Sequence, residues 1–509
     1  MRRWVLAGAL GLLAAASGAA VITFADATVG AGLGEHAFLS YAVTVADIDA
    51  DLDLDIMVWG GDSSENQMFR NDGAAHFEDI TSQSGMGFPP LQLGEYGGPF
   101  HTFDNRALPS VYDATVHPNF SNVSLFYRNT NGLFFEEVGA ALGVRDPVDR
   151  AGPAWADVNS DGFLDFYVGT AAYIDSPVRP ALFMNRSGQG FVDEREQRGL
   201  SFHGNSWVHL WFDWEEDGDP DLFIGAYLDY AVNMYDRLFR NDGTGHFTDA
   251  TATAFPASAE RTVAADLADF DGDGHLDLFV LHEFAPNFVW RDNGDGTFTD
   301  IAPALGLAMP TPPGSEVSKG QSVVADFDND MDPDVFLVRF TPYLGEEVRY
   351  ELWLNEGGTY VERGTEAGLR DRENSGACAA GDMNGDGFLD VYVANWTGFG
   401  ARDTFYLNNG NANHWIEIDP RGVLSNRDAV GLRAWVTAGG KTQVQELYST
   451  MSLPNLLHFG LGPNTVVTKL RLRWPSGLSE SYSDVPADQV FRPIEGASLP
   501  WEGMGLILR

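Results

Sequence analysis

One cysteine, Cys378, occurs in 509 residues, so no intrachain disulfide can form. Basic residues are also scarce: 31 Lys+Arg stand against 73 Asp+Glu, a formal charge of −42. That surface repels nucleic acid and anionic lipid and argues against both as partners. Beyond the N-terminus no apolar run is long enough to cross a bilayer, so no membrane insertion is expected. The sequence patterns GxSxG and HExxH, and a phosphate-binding glycine loop with its lysine, are missing as well. Acidity alone can signal disorder. Here 44% hydrophobic and 12% aromatic residues are enough to build a core.

The first 20 residues carry a positive start, Arg2-Arg3, an apolar run over 4–16 and a small-residue region, Ser17-Gly18-Ala19. This pattern predicts a cleaved secretory signal, and no cysteine follows it to take a lipid anchor. The expected address is periplasm, cell surface or medium. Without disulfides, an exported chain of this kind needs another staple.

Metal ions are the candidate staple. DFDGDGHLD, from Asp269, places carboxylates at positions 1, 3, 5 and 9 of a tight loop, with glycine at position 6 for the bend. Oxygens so clustered suit a hard cation that accepts many ligands in flexible geometry, Ca²⁺ before Mg²⁺. Five more copies start at Asp47, Asp157, Asp213, Asp326 and Asp382, and a degenerate one, TFDNRALPS, at Thr102. Start-to-start spacings are 55, 55, 56, 56, 57 and 56 residues, a period that marks a repeat architecture. The expected ligands are Asp47, Asp49, Asp51 and Asp55; Asp157, Asn159, Asp161 and Asp165; Asp213, Glu215, Asp217 and Asp221. The other three loops supply Asp269, Asp271, Asp273 and Asp277; Asp326, Asp328, Asp330 and Asp334; Asp382, Asn384, Asp386 and Asp390. About six calcium sites are therefore expected, one per intact loop. In the degenerate copy Arg106 stands at position 5, and a built-in cation replacing the ion is the expectation there. An EF-hand is excluded, because position 12 falls on Val168, Val280 and Val393 within β-like segments instead of on a glutamate.

Each repeat reads in three parts: the loop running into a β-like segment, an LFxNxG-like segment whose turn needs φ > 0, and an F-x-D/E segment. Seven first and second parts occur, but only six internal third parts. The seventh, FADATVGAGL from Phe24, lies at the N-terminal end. An exchange of ends that completes the last repeat predicts an all-β fold, a seven-bladed β-propeller over 21–411 closed by the N-terminal strand.

From Asn413 the pattern changes to alternating strands between glycine and proline turns, predicting a small β-sandwich-like domain over 412–497 and a loose tail at 498–509. It holds 9 basic and 9 acidic residues from Ala412 onward, so the acid excess lies in the repeats. His203, Trp207, His209, Trp211 and Trp214 could form a sugar platform or active-site base, but strand core and blade edge is the preferred reading. His282, Glu283 and Trp290 could face a central opening, Trp396 a loop tip, and Cys378 reads as a buried small side chain.

These repeats resemble the FG-GAP/VCBS type of integrin α-chain propellers and many secreted bacterial proteins. NHWIEI from Asn413, HFGLG from His458 and LRLRWPSG from Leu470 resemble the ASPIC/UnbV domain. The pairing behind a signal peptide looks like the bacterial relatives of cartilage acidic protein. The resemblance implies calcium in the propeller loops and an extracellular role in adhesion or interaction with a protein or polysaccharide. A calcium-dependent polysaccharide lyase or hydrolase, or the scaffold of an exported complex, are the alternatives. One departure is ELYSTMSLPNL before HFGLG, where the family has a glycine- and serine-rich stretch.

Overall fold

The segment after each intact acidic loop is short and rich in β-branched and aromatic residues, and in the computed structural model it forms a strand. These strands are Asp55–Gly60, Asp165–Gly169, Asp221–Ala226, Asp277–His282, Asp334–Phe340 and Asp390–Asn395. Val168, Val280 and Val393 lie inside them, in strands and not in the exit helix an EF-hand would have. The structure describes residues 22–497 except 35–39, 61–64, 87–94, 116–123, 146–149, 171–178, 201–203, 228–234, 257–259, 311–317, 341–349, 370–374 and 396–401. The expected signal at 1–20, the tail at 498–509, His203 and Trp396 lie outside the described residues.

Among the described residues the chain is all-β, with helix limited to four-residue turns such as Thr81–Ser84 and Ala302–Leu305. Each strand named above is the second of an antiparallel sheet in up-and-down order, for example Thr262–Ala268, Asp277–His282, Phe288–Asp292 and Phe298–Asp300. Seven sheets on this plan follow one another among the described residues. The sheet with Ser110–Thr115 departs from it by a split first strand, Glu95–Gly97 and Phe100–His101. In the last sheet Thr404–Asn408 takes its outer neighbour from the other end of the chain: Phe24–Asp26, with Phe24 opposite Asn408.

The second strands are buried on both faces because each sheet packs against a neighbour on either side. Tyr112, Phe126, Trp155 and Phe166 fill one such interface, with the Trp155 and Phe166 rings 4.5 Å apart. Val43, Ile56 and Phe77 of the first sheet meet Tyr392 and Phe405 of the last, and Phe77 meets Phe405 edge-on at 5.5 Å. First strands also pack side by side, Ser40–Ala46 lying against both Glu95–Gly97 and Ser375–Gly381. Ala42, Ala151, Val208, Ala264, Gly320 and Ala377, from six different sheets, wall one cavity of about 360 Å³.

A buried asparagine in the third strand ties sheet to sheet. Asn185 Nδ2 donates to Leu164 O in its own sheet at 2.9 Å and to Phe103 O of the preceding repeat at 2.8 Å. Asn129, Asn241 and Asn408 reach back in the same way, to Ile48 O, Val158 O and Phe327 O. Asn71 of the first sheet reaches Met383 O of the last at 2.7 Å. The same side chain also builds its turn. Asn185 Oδ1 accepts the N–H of Gly188, whose φ of 74° a side chain would strain.

The residues from 414 onward form two further sheets. Leu457–Gly462, His414–Ile418 and Gln489–Phe491 make the smaller; Lys441–Glu446, Arg433–Ala438, Val466–Arg473 and Ser479–Pro486 make the larger. They share a core that includes Ile416, Val436, Phe459, Leu470 and Trp474. The pair Arg471–Trp435, cation over ring at 4.4 Å, lies on the larger sheet.

Asn185→Ala strands two buried carbonyls at once. It is expected to lower unfolding free energy by about 2–3 kcal/mol in urea denaturation, and a loss below about 0.5 kcal/mol would contradict the staple.

Candidate metal centres in the acidic loops

Each loop is wound by its own carboxylates. In the Asp157 loop, Asp157 Oδ1 accepts the N–H of Asp161 at 2.9 Å and Oδ2 that of Gly162 at 2.8 Å. Positions 4 and 6 take left-handed backbone angles, Ser160 at φ 56° and Gly162 at φ 87°. Position 6 keeps that conformation where glycine is missing, at Leu52 (φ 82°) and Met331 (φ 83°), so the winding outranks the local strain there.

The carboxylate at position 9 has a role that sequence reasoning missed. Asp165 Oδ2 accepts the N–H of Val158 at position 2, and Oδ1 accepts the N–H of Asn185 in the third strand at 2.7 Å. Asp55, Asp221, Asp277, Asp334 and Asp390 make the same pair of bonds. All six are essentially fully buried. The signal was present in the sequence as an aspartate that always precedes the apolar strand, but its backbone partners are 7 to 21 residues away.

Three loops bring carboxylate oxygens within 4.8 Å of one another: Asp47, Asp49 and Asp55; Asp269, Asp271 and Asp273; Asp326, Asp328 and Asp334. These acidic clusters could hold ions. Burial pushes the carboxyls up, and neighbouring carboxylates add to it. Asp47 and Asp269 rise to about 6, Asp157 and Asp382 to about 7, and Asp55 and Asp277 to about 8. Asp165, Asp221, Asp334 and Asp390 are pushed well above the ordinary carboxylate value for the same reason. Two solvent-shielded acceptors meet no donor, Asn159 Oδ1 and Asp213 Oδ1. Oxygens that are crowded, desolvated and short of donors fit a bound divalent cation.

Two loops differ. Arg106 does not fill the degenerate loop; its side chain is 78% exposed and, among the described residues, pairs with Asp104 at 3.4 Å. What enters that loop is an anion from the C-terminal part. Asp428 accepts from the Thr102 N–H at 2.8 Å, the Thr102 hydroxyl at 2.5 Å and His101 at 3.0 Å. With a threonine at position 1, the loop presents donors in place of a carboxylate. The built-in cation instead occurs at the Asp213 loop, where Arg473 pairs with Asp213 Oδ2 and Arg433 with Glu216 at 2.8 Å. Glu215 there is drawn to Arg240. Nothing local in the sequence marks Asp428 or Arg473, which lie 326 and 260 residues from their partners.

Further contacts set the C-terminal sheets on the acidic loops. Lys441 pairs with Asp332, His458 Nε2 meets Asn329 Oδ1 at 2.8 Å, and Asn413 Nδ2 donates to Asp328 O at 2.8 Å. Of the described aromatic and histidine candidates, Trp207 and His209 line the cavity together with Glu283, and the others do not. Trp211 and Trp214 are buried core, the latter stacked on Phe298, and His209 is buried with Nε2 at 2.9 Å from Ser206 Oγ. Trp207 stacks on Tyr227 at 4.0 Å beside the cavity, which Glu283 also lines. His282, Trp290 and Cys378 are buried.

The FG-GAP-like repeat family matches residues 213–280, 269–337 and 326–393, and the ASPIC and UnbV family matches 422–499. The chain is thus an FG-GAP repeat protein with an ASPIC/UnbV domain. Over most of its length it is homologous to cartilage acidic protein 1. The Xenopus tropicalis protein is 23% identical over 481 residues, covering 86% of this chain and 71% of its own. The Homo sapiens protein is 24% identical over 489 residues, covering 86% and 69%. Among solved structures, an Agrocybe aegerita lectin described as recognising non-reducing terminal N-acetylglucosamine aligns with a TM-score of 0.42 at 17% identity, over 72% of this chain and 89% of that one. A likeness that weak carries no functional argument.

The raised carboxyls fix the sign of a pH effect. These carboxyls bind more protons in the metal-free fold than in the unfolded chain, so the stability they contribute is fullest below about pH 4 and is lost as pH rises through about 6 to 8. Thermal melts of metal-depleted protein are expected to fall from about pH 5 to about pH 8. A rise over that interval would contradict the assigned electrostatics.

Proposed function

We propose that this chain is an exported, calcium-loaded, seven-bladed β-propeller over 21–411, closed by its N-terminal strand and bearing residues 412–497 as a second domain on its loop face. It works by binding an extracellular protein or polysaccharide. The observation that carries the calcium reading is the recurrence of a buried carboxylate at position 9 of all six intact loops, with acidic oxygens gathered close together in three of them. Positions 1, 3, 5 and 9 of the six intact loops, the residues expected from sequence, hold the ions. Calcium supplies the opposing charge that lets those carboxylates stay ionised together. Its role is structural, because ions held only by the fold stabilise it by mass action. The Asp213 loop holds its ion most weakly, since Arg473 already takes one oxygen of Asp213. The Thr102 loop holds none.

The apolar N-terminal run supports export, and the homologues' name, cartilage acidic protein, is in keeping with an extracellular partner. Loops gathered from different sheets allow a binding surface to vary without altering the scaffold.

Native mass spectrometry is expected to count six calcium ions, five tight and one weaker, and Arg473→Met is expected to tighten the weak site about tenfold. Two ions or fewer would contradict the assignment. On arrays of extracellular polysaccharides and matrix proteins, the calcium-loaded chain is expected to bind at least one and to release it in chelator. Binding to none would overturn the adhesion reading.

A further inference from the structure

His101 is fully buried, and both its ring nitrogens are engaged across the junction between the repeats and the C-terminal part. Nδ1 lies 3.0 Å from Asp428 Oδ2, and Nε2 lies 2.8 Å from Ser449 Oγ. Asp428 is held in turn by the Thr102 N–H and hydroxyl. Those bonds and His101 hold its carboxyl below the ordinary value despite burial, so it is an anion and can only accept. The anion makes Nδ1 the donating nitrogen, and in the neutral tautomer of His101 Nε2 is then left to accept from the Ser449 hydroxyl. Asn455 Nδ2, 3.3 Å from Nδ1, has a shorter bond to Phe100 O at 2.9 Å.

Serine, histidine and aspartate linked in this order place a nucleophile, its base and the group that orients the base, a constellation recognised by geometry and not by chain order. Hydrogen bonds that served only to join two parts of a chain need no open space beside them. Ser449, however, lines the cavity of about 360 Å³ that the first strands enclose, a size within the range of small-molecule sites. Val208, Val263, Ala264, Ala377 and Met451 give that cavity apolar walls, and Asp266, Glu283, Lys319 and His209 line it too. The backbone N–H groups of Ser449, Thr450 and Met451 donate to no described residue. Donors of that kind beside a nucleophile are what an oxyanion needs.

We propose that Ser449, His101 and Asp428 form an acyl-transfer site opening on this cavity, with a small uncharged carboxylic ester as substrate. Apolar walls and a strongly acidic chain disfavour an anionic substrate, and the one lysine in the lining, Lys319, is taken up by Ala285 O and Asn287 Oδ1. Ser449 Oγ attacks the ester carbonyl as its proton passes to His101 Nε2. The bond to the leaving alcohol breaks, and His101 returns the proton to the departing oxygen. Water then attacks the acyl-serine and gives a proton to Nε2. The acyl–oxygen bond breaks, the carboxylic acid leaves and Ser449 Oγ recovers its proton. Asp428 positions His101 and stays ionised throughout. Sequence signatures could not show this site, because its members lie 327 and 348 residues apart in the chain.

The test uses the full chain in calcium, a fluorophosphonate probe with peptide mapping, and hydrolysis of p-nitrophenyl acetate and butyrate. One adduct is expected, on Ser449, and Ser449→Ala is expected to abolish both the adduct and ester turnover while leaving the thermal melt unchanged. Asp428→Asn lowers the melt because Asp428 also anchors the Thr102 loop, and in protein that remains folded it is expected to slow labelling by about a hundredfold or more. The absence of an adduct at Ser449, or ester turnover in Ser449→Ala within twofold of the parent, would overturn the proposal. That outcome would leave the calcium count untouched, so the two readings fail separately.

Discussion

A carboxylate buried at the base of every intact acidic loop is the constraint on which the rest of the structure depends. Asp55, Asp165, Asp221, Asp277, Asp334 and Asp390 each accept two backbone N–H groups, one from the loop and one from the third strand. Burying an ion is costly unless it is bonded and paired. The two N–H groups supply the bonding, and the remaining charge sits beside two or three further carboxylates. The loop is therefore the best-organised and the most electrically strained part of each sheet. A divalent cation would relieve that strain where it is generated.

The C-terminal sheets are fitted to the same strain. Arg473 and Arg433 approach the Asp213 loop, and Lys441 approaches the Asp326 loop at Asp332. Where the repeat has lost its leading carboxylate, at Thr102, the sign of the contact reverses and Asp428 arrives instead. Charge complementarity thus selects where the domain docks, and hydrogen bonds such as Asn413 to Asp328 O fix the register. The aspartate that completes the degenerate loop is also the one bonded to His101, so the missing leading carboxylate and the Ser449 network fall at one place.

Much of this was legible in the sequence. A period of 55 to 57 residues, strands that begin at the ninth loop position and an F-x-D segment displaced to Phe24 foretold the succession of sheets and the pairing of Phe24 with Asn408. Those features are local, or repeat often enough to be seen. The asparagine of each LFxNxG segment read as a turn former, and its second task, reaching Phe103 O or Met383 O of the preceding repeat, needs the sheets side by side to be seen. Arg106 was misleading because a cation in an anionic loop has an obvious local use, yet solvent and Asp104 satisfy it at the surface. Asp428, Arg473 and Ser449 act across hundreds of residues, and a single sequence holds no pattern that could point to them.

Melting temperature as a function of free calcium tests the central claim most directly. Each ion bound only by the fold adds about 2.7 kcal/mol at one hundred times its dissociation constant. Several ions acting together give a melting temperature that climbs steeply with the logarithm of calcium concentration. The account predicts that climb, with a slope demanding uptake of several ions on folding. A melting temperature indifferent to calcium from metal-depleted buffer to millimolar concentration would contradict it, and would mean that the loops hold themselves together on hydrogen bonds and shared protons alone.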